Sequence, residues 1–91
     1  MANEKKIERD SARTAEVHGW LSKKFVTPGR RGAFDHIFIK AGRVVWIEFK
    51  DPDGEISPLQ HEEYYDLIDH GADAHFCYSY EDCKQILGIH T

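Results

Sequence analysis

The 91-residue chain predicts an α/β (α+β) fold in the order α-β-β-β-α-β-α, and three observations point to it. Aromatic and β-branched residues fill two runs, 34–40 and 43–50, separated only by Ala41-Gly42. A helix-start signal opens at Ser57-Pro58. A further apolar run at 74–79 follows the glycine that closes that helix.

The elements are read in order. Residues 4–23 form a helix with a weak inward stripe of Ile7, Ser11, Thr14, Val17, His18 and Leu21. Glu8 flanks that stripe, and Arg9, Arg13, Glu16 and Trp20 turn away from it. Lys24-Phe25-Val26 is a short strand, and residues 27–32, with Pro28 and two glycines, form a loop. The hairpin comes next. If the two-residue turn sets the register, Lys40 faces Arg43, and counting back places Asp35 opposite Glu48. Alternation then gathers Asp35, Ile37, Ile39, Val44, Trp46, Glu48 and Lys50 on one face, leaving Phe34, Phe38, Val45, Ile47 and Phe49 on the other. Both faces are apolar, so helices must cover both sides, or a second subunit must.

Two carboxylates at facing positions, with Cβ atoms roughly 4.5–5.5 Å apart, normally repel. A shared divalent cation removes the repulsion. Magnesium and manganese favour oxygen ligands and often take only one or two carboxylates, leaving positions for water and a substrate phosphate. The alternative is a solvated sheet face with Lys50 as a counter-charge; the apolar Ile37, Ile39, Val44 and Trp46 argue against it.

Asp51-Pro52-Asp53-Gly54 is a turn. In the second helix Ser57 is the N-cap, Pro58 suits the first helical position, Gln60 completes a capping box, and Gly71 ends the element. Gln60, Tyr64, Leu67 and Gly71 share its inward face. An amide there has two readings: it satisfies the cap, or it reaches the acid pair or a substrate phosphate. Ser79 caps the last helix, which runs to about residue 87 with Glu81 and Asp82 in its first turn.

The length sets residues 1–91 as one domain, near the size at which a single core is only marginally self-sufficient. No stretch approaches the roughly 18 apolar residues of a spanning helix, and no signal peptide is visible, so a cytoplasmic protein is expected. Cys77 and Cys83 lack a Cys-x-x-Cys spacing and read as reduced and structural. The six histidines are scattered, and His36 points away from Asp35 in a regular strand. The net charge of −4 is unevenly spread: residues 1–50 carry eleven Lys/Arg against six Asp/Glu, whereas residues 51–91 carry one lysine against ten acids. The basic half, which holds the acid pair, suits a polyanion. Arg30 and Arg31, between Gly29 and Gly32, are the strongest candidates for it; Lys5, Lys6, Arg9 and Arg13 read equally well as solvated helix faces.

Gly32-Ala33-Phe34-Asp35, Ile47-Glu48-Phe49-Lys50 and Ser57-Pro58-Leu59-Gln60 resemble the Gly-x-Pro-Asp, Glu-x-Lys and downstream Gln of the VRR-NUC (virus-type replication-repair nuclease) family of the PD-(D/E)xK superfamily. Residues 24–29, Gly71 and Tyr80-Glu81-Asp82 are also similar, so the resemblance spans nearly the whole chain. Phe34 departs from the family by standing where a proline is usual.

The resemblance implies a restriction-endonuclease-like mixed sheet flanked by helices and a Mg²⁺- or Mn²⁺-dependent endonuclease acting on DNA. It implies Asp35 and Glu48 as metal ligands, helped by the Phe49 backbone carbonyl and by a helix-borne glutamate, for which Glu8 is the best match and Glu4 the second. Lys50 would orient or help deprotonate the attacking water, and Gln60 would position Lys50 or a phosphate. Arg30, Arg31, Lys24, Lys5 and Lys6 make up the expected DNA-binding set. Stand-alone members of this size are similar to phage and bacterial Holliday-junction resolvases that work as homodimers, while larger relatives cut flaps. The other readings are a catalytically inactive DNA-binding module of the same fold, and a nuclease for flaps, single strands or RNA.

Overall fold

The computed structural model describes residues 3–25 and 32–90, so Arg30 and Arg31 lie outside the described residues. Its elements are α1 (Glu4–Val17), β1 (Leu21–Lys24), β2 (His36–Lys40), β3 (Arg43–Phe49), α2 (Pro58–Asp69), β4 (Asp73–Cys77) and α3 (Tyr80–Leu87). This is the expected order. The sheet runs β1-β2-β3-β4. Its first two pairings are antiparallel and β3–β4 is parallel, which makes the sheet mixed. Helix α2 provides the crossover that a parallel pair requires.

The hairpin adopts the register read from its turn, Lys40 opposite Arg43 through His36 opposite Ile47. Ala41 and Gly42 both take positive φ, 50° and 82°, the backbone of a two-residue turn whose twist matches its strands. Regular pairing stops at His36, one residue short of Asp35. Phe34 therefore does not follow the strand's alternation. It packs instead on the α2 side, edge-on to Phe76 at 5.0 Å and near Tyr64 at 6.3 Å.

Helix α1 ends at Val17 rather than continuing to residue 23. Gly19 turns the chain at φ +88°, the Trp20 amide donates to the Ala15 carbonyl at 2.9 Å, and residues 21–24 leave as the strand beside β2. Leu21-Ser22-Lys23-Lys24 has little strand propensity of its own; pairing along β2 decides its conformation. The buried stripe of α1 is Ile7, Ser11 and Ala15, while Val17 is 77% exposed and Trp20, expected outside, is 6% exposed. The expected stripe was fitted through residues that are not helical, and this displaced it.

Ile7 and Ala15 of α1 and Cys83 and Leu87 of α3 close over Phe38, Val45, Ile47, Phe49 and Cys77 on one face of the sheet. Each large apolar side chain fully buried here stabilises the fold by about 1.5–3 kcal/mol. On the other face α2 packs near β4, with Tyr64 5.3 Å and His61 6.4 Å from the Phe76 ring. Over β1–β3 that outer face is more open, with Leu21 50% and Val44 39% exposed. Cys77 and Cys83 are buried free thiols. No helix among the described residues is long and apolar enough to cross a membrane.

Candidate active site

The sheet brings Glu48, Lys50 and Gln60 together at the end of β3. Ser57 caps α2: its hydroxyl accepts from the Gln60 amide at 3.1 Å, and the Ser57 amide donates to Gln60 Oε1 at 3.0 Å. The capping box is complete. The same Gln60 Oε1 accepts from Lys50 Nζ at 3.0 Å, and Gln60 Nε2 donates to Glu48 Oε2 at 3.3 Å. Both readings of the inward amide therefore coexist, because the box fixes the side chain in the conformation that spans Lys50 and Glu48.

Glu48 Oε1 is buried without a hydrogen-bond partner. Desolvation, then the neighbouring charges of Asp35 and Glu4, push its carboxyl up to about 8, and Lys50 offsets only part of this. Asp35 sits immediately before β2 and anchors the chain through its carbonyl, which accepts from the Phe25 amide at 2.6 Å. Asp51, which follows Lys50, accepts the Glu4 amide on Oδ1 at 2.7 Å and so fastens the start of α1 beside the acids. Burial, followed by the charge of Asp51, raises the Glu4 carboxyl.

Glu8 is placed differently. It holds Lys24 at 3.0 Å and His36 Nδ1 at 3.1 Å, and His36 Nε2 lies 2.7 Å from Ser22 Oγ. Burial alone would raise Glu8, but the hydrogen bonds from Lys24 and His36 outweigh it and hold the carboxyl below its usual value. His36 is buried on the α1 face, stacked on Phe38 at 4.6 Å, as a packing residue that orients Glu8. Lys24 is thus paired with Glu8, and Lys6 with Asp10 at 2.5 Å. A cleft of about 490 Å³ at the start of α1 is lined by Asn3, Glu4, Lys5, Lys6, Arg9 and Asp51.

These residues suit a hard divalent cation. A buried carboxylate oxygen lacking any donor, on a group raised by burial and by the charges of Asp35 and Glu4, is relieved when a positive ion enters. Among the described residues no three His, Cys, Asp or Glu side chains converge to hold an ion by themselves. Magnesium needs only one or two carboxylates beside its waters, so a larger cluster is not required. Sequence reasoning missed Asp51 as the anchor of α1 and His36 as the partner of Glu8. The first was legible only as part of a turn, and the second depends on packing between α1 and β2, which no local pattern encodes.

No family model matches the chain. It is 31% identical over 69 residues to a protein described as "Putative nuclease p44" of Acyrthosiphon pisum secondary endosymbiont phage 1, spanning 75% of this chain and 74% of that protein. A solved structure described as "VRR_NUC domain" superposes with a TM-score of 0.84 over 100% of both chains at 22% identity. The fold is thus that of a VRR-NUC domain. The chain belongs to the same family as that phage protein.

Proposed function

We propose that the protein is a divalent-metal-dependent, structure-selective DNA endonuclease that hydrolyses phosphodiester bonds in branched substrates in the manner of a Holliday-junction resolvase. The observation that carries this reading is the Lys50–Gln60–Glu48 chain of hydrogen bonds ending on a buried, partnerless carboxylate oxygen. Asp35 and Glu48 would hold Mg²⁺ or Mn²⁺, with the Phe49 carbonyl and a glutamate of α1 completing the set. When bound, the ion supplies charge stabilisation at the phosphate and lowers the pKa of a water. Lys50, steered by Gln60, orients or helps deprotonate the attacking water and offsets charge gathering on the phosphate. Glu4 joins the metal set more readily than Glu8, because Glu8 would first have to release Lys24 and His36. Lys5 and Lys6 line the cleft beside Glu4, where they can take phosphates flanking the scissile bond. Lys24, Arg30 and Arg31 complete the proposed DNA-binding set.

The proposed working unit is a homodimer. Exposed apolar side chains on α2, Leu59 and Tyr65, offer a second copy surface to bury. A two-fold dimer matches the paired strands of a four-way junction. The test is to incubate the protein with four-way junction, flap, linear duplex and single-stranded DNA, with Mg²⁺, Mn²⁺ or chelator. Metal-dependent paired nicking of the junction is expected. Binding without cleavage under every metal condition would leave only the inactive DNA-binding module.

A further inference from the structure

The open end of the outer sheet face carries features that the phosphodiester chemistry does not use. Phe25, at the end of β1, and Trp46, on β3, place their ring centroids 6.1 Å apart at an interplanar angle of 35°. Phe25 is 45% exposed and Trp46 is partly exposed. Lys23 pairs with Ile37, and Ile37 with Trp46, so an exposed lysine, an isoleucine and the tryptophan form one row across three strands. Trp46 and Glu48 share this face two residues apart, about 7 Å along the strand. The row therefore lies one nucleotide's reach from a phosphate held at the acid cluster. We infer that this row is a base-stacking platform, on which Trp46 and Phe25 receive an unpaired base of the nucleic-acid strand being cut while Lys23 takes a neighbouring phosphate.

Charge decides between this occupant and a second copy of the chain. Lys23 is exposed on this face, and a two-fold contact centred on the row would bring the Lys23 side chains of the two copies together. A polyanion neutralises the same charges. Aromatic rings interleaved with cations are the general means of holding single strands without reading sequence, since every base has a stackable face. The duplex interior offers no such face, so the platform selects strands that are single, frayed or opened at a branch point. This inference deepens the proposed nuclease reading by naming the strand state that the same site accepts.

The test uses the full chain in chelator, where cleavage plays no part. Intrinsic tryptophan emission is titrated with a 12-nucleotide oligothymidylate, a blunt 12-base-pair duplex and inorganic polyphosphate. Trp20 is buried and contributes background, so a stacked base is read through Trp46. Saturable quenching by the oligothymidylate, several-fold weaker with the other two probes and lost in Trp46→Phe, is the expected result. Affinity measured by anisotropy should survive in Trp46→Phe and fall roughly 5- to 150-fold in Trp46→Ala, the loss typical of one stacked base. If Trp46→Ala does not fold, Phe25→Ala on the exposed ring should show a loss of the same sign. Equal quenching by polyphosphate, or unchanged affinity in folded Trp46→Ala and Phe25→Ala, overturns the inference. So does a Trp46→Ala variant that becomes monomeric with its oligonucleotide affinity intact, which would assign the face to a second copy. Failure of metal-dependent cleavage by the wild type would instead count against the nuclease reading, leaving the platform to be judged by its fluorescence.

Discussion

Glu48 and Gln60 share one hydrogen bond, from Gln60 Nε2 to Glu48 Oε2 at 3.3 Å, while the other Glu48 oxygen is buried with no partner. Half of the carboxylate is positioned by the helix and half is left for something else. The asymmetry explains why the group resists ionisation in the protein alone, and why a cation would be welcome on the unpaired side.

The first prediction is a pH dependence. The Glu48 carboxyl is raised from 4.5 to about 8, so the native state keeps a proton that the unfolded chain has already released. Unfolding then sheds that proton, and the metal-free protein should lose stability as pH rises from about 4.5 to about 8, levelling off above. Glu4, also raised, contributes with the same sign. Thermal melts in chelator across that window should show the decline, and Glu48→Gln should flatten it. Mn²⁺ binding should release a proton near neutrality and tighten towards pH 8, because the ligand must be ionised. An unaltered slope in Glu48→Gln would refute this assignment.

The second prediction separates the two tasks of Gln60. Gln60→Ala removes the box and the bridge together, and should cost about 0.5–2 kcal/mol of stability as well as activity. Gln60→Glu can still accept from the Ser57 amide and Lys50 but loses the donor to Glu48 and sets a second carboxylate beside it. Its melting temperature should therefore stay close to the wild type while cleavage falls. Full activity in Gln60→Glu would reduce Gln60 to a cap.

The third prediction concerns Gly32. Its φ is +78°, and a Cβ there would lie 2.7 Å from the Leu59 carbonyl carbon and 2.9 Å from the Gln60 amide nitrogen. Gly32→Ala meets both a disfavoured backbone angle and the first turn of α2, so a loss on the order of 1–3 kcal/mol is expected. Activity should fall further than stability explains, because the clash displaces the residue that bridges Lys50 and Glu48. Melting curves and cleavage rates measured on the same preparation would show whether the two losses separate.

How much of this was legible depended on how local the determining interactions are. The hairpin register followed from Ala41-Gly42, and the second helix from Ser57, Pro58 and Gln60, because a two-residue turn and a capping box are closed within a few residues. The end of α1 was not legible, since Leu21-Ser22-Lys23-Lys24 becomes a strand only by pairing with β2. Phe34 was assigned to the wrong face because alternation was carried two residues past the last regular pair. Within the candidate site, Glu48, Lys50 and Gln60 were readable as a set. The engagement of Glu8 by Lys24 and His36 was not, because it joins three elements through side chains alone.

That engagement yields the last prediction, which asks which glutamate of α1 serves the metal. Glu8 is satisfied by Lys24 and by His36, so Glu8→Gln removes an ion pair and loosens the packing between α1 and the first two strands. Glu4 lies among Asp51, Lys50 and Asp35, and its charge acts on Glu48 more strongly than that of Glu8. If Glu4 is the ligand, Glu4→Gln should weaken Mn²⁺ binding by about tenfold or more, the effect of about 1.4 kcal/mol at the site, with little change in the melting temperature of the metal-free protein. Glu8→Gln should show the opposite pattern, a lower melting temperature with Mn²⁺ affinity nearly kept. Calorimetric titration of both variants at one common pH, repeated in two buffers of different ionisation enthalpy, separates the heat of the Glu48 proton from that of the ion. A collapse of Mn²⁺ affinity in Glu8→Gln alone would mean that Lys24 and His36 give way when the ion enters, and would return Glu8 to the metal set in place of Glu4.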